Sequence, residues 1–153
     1  MAETTIRAAI KTALESVTNI GLVYDRLRFA AETDAFLSLF KTTISGSVVI
    51  RGWQIKTLSV AQEGFVTTGG LATGNARAYS YEVKGYLQFD DSNSSEITAT
   101  ALMIAVLDAL DTTNLFVDTV IKVDLPQANL TEVFFGPVLC HVITITQTIT
   151  ETT

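Results

Sequence analysis

The architecture of this chain follows from residues 78–110, whose sequence is AYSYEVKGYLQFDDSNSSEITATALMIAVLDAL. In residues 78–89 the side chains alternate between two faces, a pattern typical of a half-buried antiparallel strand. One face carries Tyr79, Tyr81, Val83, Gly85, Leu87 and Phe89. A polar loop over residues 90–95 leads into residues 96–110, the most apolar helix-length segment of the chain. Because residues 101–107 are all apolar, we expect this helix to be buried on more than one side.

Two further helices are predicted before this stretch. The first begins near Thr4 or Thr5, ends near residue 17, and is amphipathic, because apolar residues recur at helical spacing at Ile6, Ile10, Leu14 and Val17. Residues 22–30 predict a short strand or an extended connector, and residues 33–41 predict a short apolar helix. At the start of the third helix, Asn93 and Glu96 resemble a capping box, and Ser94 or Ser95 is an equally suitable cap.

The remaining strands are predicted at residues 46–61, 116–125, 130–135 and 138–149, which are rich in β-branched and aromatic residues. The order of elements predicts one α+β domain over residues 1–153: a single antiparallel β-sheet with two main α-helices packed on one face and a long hairpin loop. The other face keeps Thr, Ser, Gln, Lys and Tyr, so it must be solvated or paired with a neighbour. We expect the polar tail, residues 150–153, to fray.

The long hairpin loop is predicted at residues 62–77, where glycines are frequent. Loops of this length inside compact domains are usually functional or disordered. The spacing of Gly69 and Gly74 is that of a phosphate-binding loop. Asn75 and Ala76 stand where such a loop needs Lys and Ser or Thr, so we reject a nucleotide-binding role.

The composition allows a large core but few solvated charges. Hydrophobic residues make up 48% of the chain and charged residues 17%. Such a chain is either a subunit that buries surface against neighbours or a monomer with many exposed Thr and Ser residues. The net charge of −6 disfavours sequence-specific DNA binding and is compatible with DNA passing nearby without being held. The sequence shows no signal peptide and no membrane span, so synthesis in a cytoplasm is expected.

No catalytic, cofactor-binding or metal site is predicted. Cys140 and His141 are the only residues of their kinds, and neighbouring strand residues point to opposite faces, so they cannot act on each other. No second histidine exists to complete a metal cluster. We therefore expect structural roles for both. The charged residues Asp25, Arg26 and Arg28 form either a solvated turn with a local ion pair or a charged contact to another subunit.

Several distributed features resemble those of bacteriophage tail-terminator, or tail-completion, proteins. A leading amphipathic helix precedes GLVYDRLR at residues 21–28, GWQI follows at 52–55, YEV at 81–83 leads through a polar loop into an Ala/Leu-rich helix, and a Thr/Ile-rich strand closes the chain. The resemblance covers nearly the whole chain and rests on order and spacing more than on identity.

The resemblance implies a non-enzymatic virion protein, assembled in the host cytoplasm, that forms a ring, most often a hexamer. Such a ring caps the tail tube, contacts the tail-tube protein and the neck or head-completion protein, binds no cofactor, and lets DNA pass through its lumen. Candidate interface residues are Asp25, Arg26, Arg28, Gly69, Gly70, Leu71 and Gly74. The alternatives are another neck or tail-tube subunit, since a tube protein often carries a long insertion, and a small ligand-binding domain.

Overall fold

A computed structural model describes residues 2–66, 73–111 and 120–153 of the chain. The described helices and strands are, in order, α1 (Ala2–Glu15), β1 (Leu22–Tyr24), α2 (Thr33–Ser38), β2 (Lys41–Ile44), β3 (Ser47–Val66), β4 (Thr73–Gln88), α3 (Ser95–Ala109), β5 (Val120–Val123), β6 (Gln127–Phe135) and β7 (Val138–Thr152). A short 3-10 helix at Asp91–Asn93 precedes α3. None of the three α-helices in these ranges is long and apolar enough to cross a bilayer.

The strands form one mostly antiparallel sheet of seven strands, in the order β1-β3-β4-β7-β5. In addition, β2 pairs with β3 and β6 pairs with β7. The β1–β3 pair is parallel, with Val23 opposite Trp53. The chain is therefore a β-rich mixed α/β fold, and the expectation of a purely antiparallel sheet with two helices is too simple.

One face of the sheet packs against α1 and α3 and holds the larger core. The predicted stripe of α1 is confirmed, because Ile6, Ile10 and Leu14 are all buried. They meet α3 and the sheet in one cluster whose largest members include Trp53, Tyr81, Ile143 and Ile145. Trp53 also donates a 2.9 Å hydrogen bond from Nε1 to the carbonyl of Ile20, which ties the chain after α1 to the sheet.

Gly85 of β4 makes room for this tryptophan. A Cβ atom added at Gly85 would lie 2.6 Å from the Trp53 ring. Gly85 pairs directly with Trp53 across β4 and β3, so both side-chain positions lie on the same face. The predicted alternation of β4 is thereby confirmed, with a glycine where the opposite ring needs space.

A smaller aromatic cluster covers part of the other face. Tyr86, Cys140 and Val142 point away from α1 and α3, because they alternate with core residues of the first face. They pack under α2, with the rings of Phe36 and Tyr86 5.4 Å apart. Burial raises the pKa of Tyr86 to about 12. The expectation that this face is solvated or paired with a neighbour is wrong for the part under α2, because this short helix supplies an apolar cover.

The predicted loop at 62–77 is mostly paired strand. Gln62 lies opposite Arg77, and the ladder continues to Val66 opposite Thr73. Gly64 and Gly74 both lie within this β3–β4 ladder. Glycine can take part because the ladder is formed by main-chain hydrogen bonds, which do not depend on the side chain. Residues 67–72 lie outside the described residues.

The tail at 150–153 is ordered, in contrast to the prediction. Thr152 pairs with Ala76, and the amide of Thr153 donates to the carbonyl of Asn75 at 2.9 Å. Glu151 is only 4% exposed. The physical reason is the extended β4, whose first residues give the tail a strand to pair with.

Two local predictions need correction around the helices. The second helix ends at Ser38, and residues Lys41–Ile44 form a hairpin with β3 through Ser45 and Gly46, both with positive φ. At α3 the N-cap is Ser94, one of the predicted alternatives, in a left-handed conformation and without a side-chain capping bond. The outer face of α3 is exposed in the subunit, so this helix is buried on one side only.

Candidate functional site

The predicted charged contact at residues 25–28 divides into separate interactions. Arg26 Nη1 lies 3.1 Å from Asp25 Oδ1 in an exposed ion pair, which contributes little stability. The Arg28 guanidinium lies 4.5 Å above the Tyr24 ring, and the Arg28 amide donates to Gln54 Oε1 at 3.0 Å. Arg28 is therefore a fixed, half-buried cation, whereas Arg26 is solvated.

The predicted glycine-rich contact is only partly described. Gly74 lies in β4, opposite Phe65 in β3. Gly69, Gly70 and Leu71 lie outside the described residues. The geometry therefore places Gly74 near the tip of a two-stranded ribbon, far along the sequence from Arg28, and does not bring the described candidates into one cluster.

The outer face of α3 is an apolar surface that the subunit leaves uncovered. Ile97 is 67% exposed and Ile104 is 52% exposed, and Ala101 lies between them at helical spacing. Beside this stripe a groove of about 700 Å³ separates α3 from the end of α1. We call Ile97, Ala101 and Ile104 the α3 stripe.

The groove beside the α3 stripe is lined by a cation, Arg51. Arg51 donates from Nη1 to the carbonyl of Asn19 at 3.3 Å. Its Nε atom is buried and has no hydrogen-bond partner within the described part of the chain. Burial lowers the pKa of this guanidinium from its ordinary value. The groove is also lined by Asp108, so it carries one cation and one carboxylate.

A second apolar surface lies on the α2 side of the sheet. Phe29 is 82% exposed and borders a hollow of about 240 Å³ that Phe36 and Phe135 also line. Phe36 and Phe135 pack against the aromatic cluster under α2, so this hollow and the α3 stripe are on opposite faces of the sheet. Large apolar side chains are thus exposed on both sides of the molecule.

A third exposed surface is the far part of β3. Every residue from 58 to 64 is exposed, although all belong to the sheet. Both faces of the strand are therefore open to solvent here. Sheets normally bury at least one face, so this segment is unusual for an isolated subunit.

His141 connects two polar residues in an arrangement that resembles a hydrolase triad. Its Nε2 atom lies 2.9 Å from Oγ of Ser95, and its Nδ1 atom lies 3.3 Å from Oε1 of Glu132. Ser95 begins α3 and also lines a cleft of about 800 Å³. The types and spacing of these groups are those of a nucleophile, a base and an orienting carboxylate.

The burial of His141 argues against catalysis. Its side chain is 0% exposed, and Phe89 lies against the ring at 4.9 Å. A triad histidine must pass a proton to the leaving group of the substrate, which a fully covered Nε2 atom cannot reach. Ser95 Oγ also accepts the Asp90 amide at 2.8 Å, so the chain of bonds fastens the 90–95 loop and α3 to the sheet. We name Ser95, His141 and Glu132 the polar clasp.

Cys140 points to the other face and has no polar role. It is buried in the aromatic cluster under α2, and burial raises its thiol pKa to about 11. Within the described ranges no three metal-ligating residues come together. The expectation that Cys140 and His141 lie on opposite faces agrees with these positions.

Sequence reasoning missed the polar clasp and the exposed side of α3. The partners of His141 are 46 and 9 residues away in sequence, and no motif joins them. The exposed side of α3 could not be predicted, because apolar residues occur on all sides of this helix and its sequence therefore shows no amphipathic pattern.

Comparison with protein-family models and with characterised proteins found no match to the chain. The geometry of the subunit and the resemblance in its sequence are therefore the grounds for a functional assignment.

Proposed function

We propose that this protein is a structural subunit of a bacteriophage tail, and that it assembles into a hexameric ring that caps the tail tube and offers an attachment surface to the head or neck. It acts by assembly and not by catalysis. The proposal goes back to the order and spacing of the sequence features, and the uncovered apolar surfaces of the subunit support it.

The observation that carries the proposal is the exposure of large apolar side chains on opposite faces of the sheet. Phe29 lies on one side of the sheet and the α3 stripe lies on the other. A stable monomer has no need of such large apolar side chains on its surface. Apolar surface on two opposite sides is expected of a subunit that contacts one partner protein on each side.

A terminator must also present two chemically different ends. Tube growth continues while each ring exposes the surface that the next ring fits, so a terminator matches that surface on one end only. This subunit offers an apolar helical surface on one face and an aromatic hollow near charged residues on the other. Six copies carry a formal charge of 6 × −6 = −36, which suits a lumen that must not retain DNA.

The tube-subunit alternative takes residues 62–77 as a long insertion loop. The described part of that segment is a two-stranded ribbon that reaches Val66 opposite Thr73. The leading helix α1 and the central helix α3 favour the terminator over the tube subunit. The groove at Arg51 is the observation in favour of a small ligand-binding domain. Against it, the His141 side chain is fully buried, so a substrate cannot reach it.

The test has an assembly part and an infection part. Native mass spectrometry and negative-stain imaging of the purified protein, alone and mixed with tail tubes, should show hexameric rings at tube ends. In the virus that encodes the chain, loss of the protein should leave filled heads and tubes that are abnormally long or unjoined. Tails of normal length correctly joined to filled heads would exclude the terminator role.

A further inference from the structure

The sheet has an open edge along most of β3. On the side away from β4, β1 pairs with residues 52–54 only, and no other strand of the described chain pairs with β3 beyond Gln54 on that side. At the next residue of β3, a side chain takes the place of a neighbouring strand, because Arg7 Nη1 donates to the carbonyl of Ile55 at 3.3 Å. Arg7 Nη2 lies 2.6 Å from Thr57 Oγ1. Residues 58–64 follow and are exposed.

At the opposite end of the sheet β5 and β6 both pair with β7, and β6 forms a second open edge. Within the described ranges β6 pairs with β7 and with no other strand, from Gln127 opposite Thr146 to Phe135 opposite Val138. Since β7 also pairs with β4, β6 lies on the far side of the sheet from β3. The subunit thus carries two different edges at its two ends.

Both edges have little of the protection that monomeric proteins use. Edge strands are usually short, charged, bulged or interrupted by proline, because their unpaired main-chain groups otherwise recruit other chains. From 58 to 66 the only charged residue is Glu63, and in β6 it is Glu132, with no proline in either. The one bulge of β3 lies at residues 57–59, before the exposed part.

The side chains of the two edges are compatible in one continuous sheet. Val60 pairs with Tyr79 of the larger core, so it lies on the face that α1 and α3 cover. Phe134 pairs with Leu139, which alternates with His141 and Ile143 on that same face. Val60 is 55% exposed and Phe134 is 69% exposed. Val60 is level with Ile149 of β7 and Phe134 is level with Leu139, so the two side chains meet when neighbouring subunits are staggered along the strand direction. Same-face residues that meet in this way pack.

The charges of the two edges do not oppose each other. Glu63 pairs with Ala76, which shares the face of Tyr86 and the α2 cluster. Glu132 pairs with His141, on the face of α3. In one continuous sheet the two carboxylates therefore lie on opposite faces, and like-charge repulsion is small.

We infer that the exposed edge of β3 pairs with β6 of a second copy of this chain, so that one sheet continues from subunit to subunit around the ring. This inference rests on the proposed ring and specifies which surfaces form it. Each edge is used once, and the contact is head-to-tail, as a closed ring requires. Main-chain hydrogen bonds would supply affinity, and Val60 against Phe134 would fix the register.

The experiment combines cross-linking with hydrogen exchange. In a Cys140→Val background, one cysteine is placed on the β3 edge (Leu58, Val60 or Gln62) and one on β6 (Leu130, Glu132 or Phe134). Oxidation should link at least one pair into a ladder of covalent oligomers, whereas each single-cysteine variant stops at dimers. The control pair joins Ile97→Cys on α3 to Phe134→Cys and should give no ladder.

Hydrogen exchange on the unmodified protein is independent of these substitutions. Amides of residues 58–64 should exchange about tenfold or more slowly in rings than in dissociated subunits. Rings that form no ladder with any pair and leave this exchange unchanged would overturn the edge pairing and spare the proposed function. Ladders that grow into open chains and never close would support the edge pairing and overturn the ring. A protein that stays monomeric throughout would overturn both.

Discussion

The Tyr79 hydroxyl donates a 2.7 Å hydrogen bond to Oε1 of Glu151, a buried carboxylate two residues before the end of the chain. Burial and then this carboxylate raise the pKa of Tyr79 from its ordinary value. A tail that looks polar and free in the sequence is thus held in the sheet by a charge-assisted bond. Its stability contribution can be measured because β4 offers a matched control.

Tyr79→Phe should lower the free energy of unfolding by about 1–3 kcal/mol, because a buried acceptor loses a donor. Tyr81→Phe is the control, since the Tyr81 hydroxyl is buried on the same strand and has no hydrogen-bond partner among the described residues. That second change should be neutral within about 0.5 kcal/mol or stabilising. Urea unfolding of both variants measures the difference. Equal losses would mean that the bond to Glu151 adds nothing specific.

Gly85→Ala should destabilise the subunit by about 1–3 kcal/mol, the usual cost of overpacking a filled core. The added methyl group would lie 2.6 Å from the Trp53 ring, which is fully buried. Thermal and urea unfolding measure the loss, and tryptophan fluorescence reports the displaced ring.

The control for this change is Gly64→Ala, which has no atom within 4 Å of the added Cβ. It should be neutral or slightly stabilising, because alanine loses less backbone entropy on folding than glycine. If Gly85→Ala were also neutral, the ring of Trp53 would not be packed against β4 as described.

These two glycines show what the sequence could and could not specify. The alternation of residues 79–87 predicted the strand and its core face correctly, because period-2 patterns depend only on burial of one face. The same reasoning could not say that Gly85 pairs with Trp53, since register depends on contacts between distant segments. Glycine frequency suggested a loop at 62–77, yet Gly64 and Gly74 are strand residues whose hydrogen bonds come from the partner strand.

The candidate surfaces were less predictable than the fold for a related reason. The helix at 95–109 was expected from its apolar content, but the side that stays exposed depends on where α1 and the sheet lie. The interaction of His141 with Ser95 was invisible because it forms only when β7 brings residue 141 next to the start of α3. Short-range rules carry no information on such contacts.

Stability should fall as the pH rises from about 9 to about 11, with Cys140 as one cause. The thiol pKa is raised by burial from 9.0 to about 11, so in this range the unfolded chain loses a proton that the native chain keeps. The unfolded state then binds fewer protons, and the slope of unfolding free energy against pH is negative. Below pH 9 both states keep the proton and no dependence arises from this group.

Cys140→Val should reduce the slope of unfolding free energy against pH between pH 9 and 10. At higher pH the tyrosines, whose ordinary pKa is 10.0, add a further loss of stability. Unfolding curves across this range measure it. The native thiol should also react slowly with a thiol reagent at pH 8 and rapidly in denaturant. An unchanged slope in the variant would show that the thiol does not titrate differently in the two states.

Ser95→Ala should cost about 1–3 kcal/mol, because the Asp90 amide and the buried His141 ring each lose a partner. Ser92→Ala is the control, since Ser92 is exposed and bonds only the exposed Asp90 carboxylate among the contacts described for it. It should change stability by less than about 0.5 kcal/mol. Neither variant nor the native protein should release a stoichiometric burst from p-nitrophenyl acetate. A burst that disappears in Ser95→Ala would show that the polar clasp is catalytic.

Ile104→Ser should separate assembly from folding. The side chain is 52% exposed, so its loss should leave the stability of the free subunit within about 0.5 kcal/mol of native. In an assembly that covers the α3 stripe, the same change removes most of a buried apolar side chain, which is worth about 1.5–3 kcal/mol per contact. Since a ring repeats each contact in every subunit, the apparent loss of assembly should be much larger than the effect on one subunit.

The matched control is Glu15→Ser, an exposed change at the end of α1 that removes an ion pair with Lys11. Native mass spectrometry over a dilution series should show rings or ring–tube complexes dissociating at higher concentration for Ile104→Ser and at the native concentration for Glu15→Ser. If both variants assembled like the native protein, the α3 stripe would remain exposed in the particle. The groove at Arg51 would then face solvent as well, and the apolar surface that carries the proposed function would lie on the Phe29 side alone.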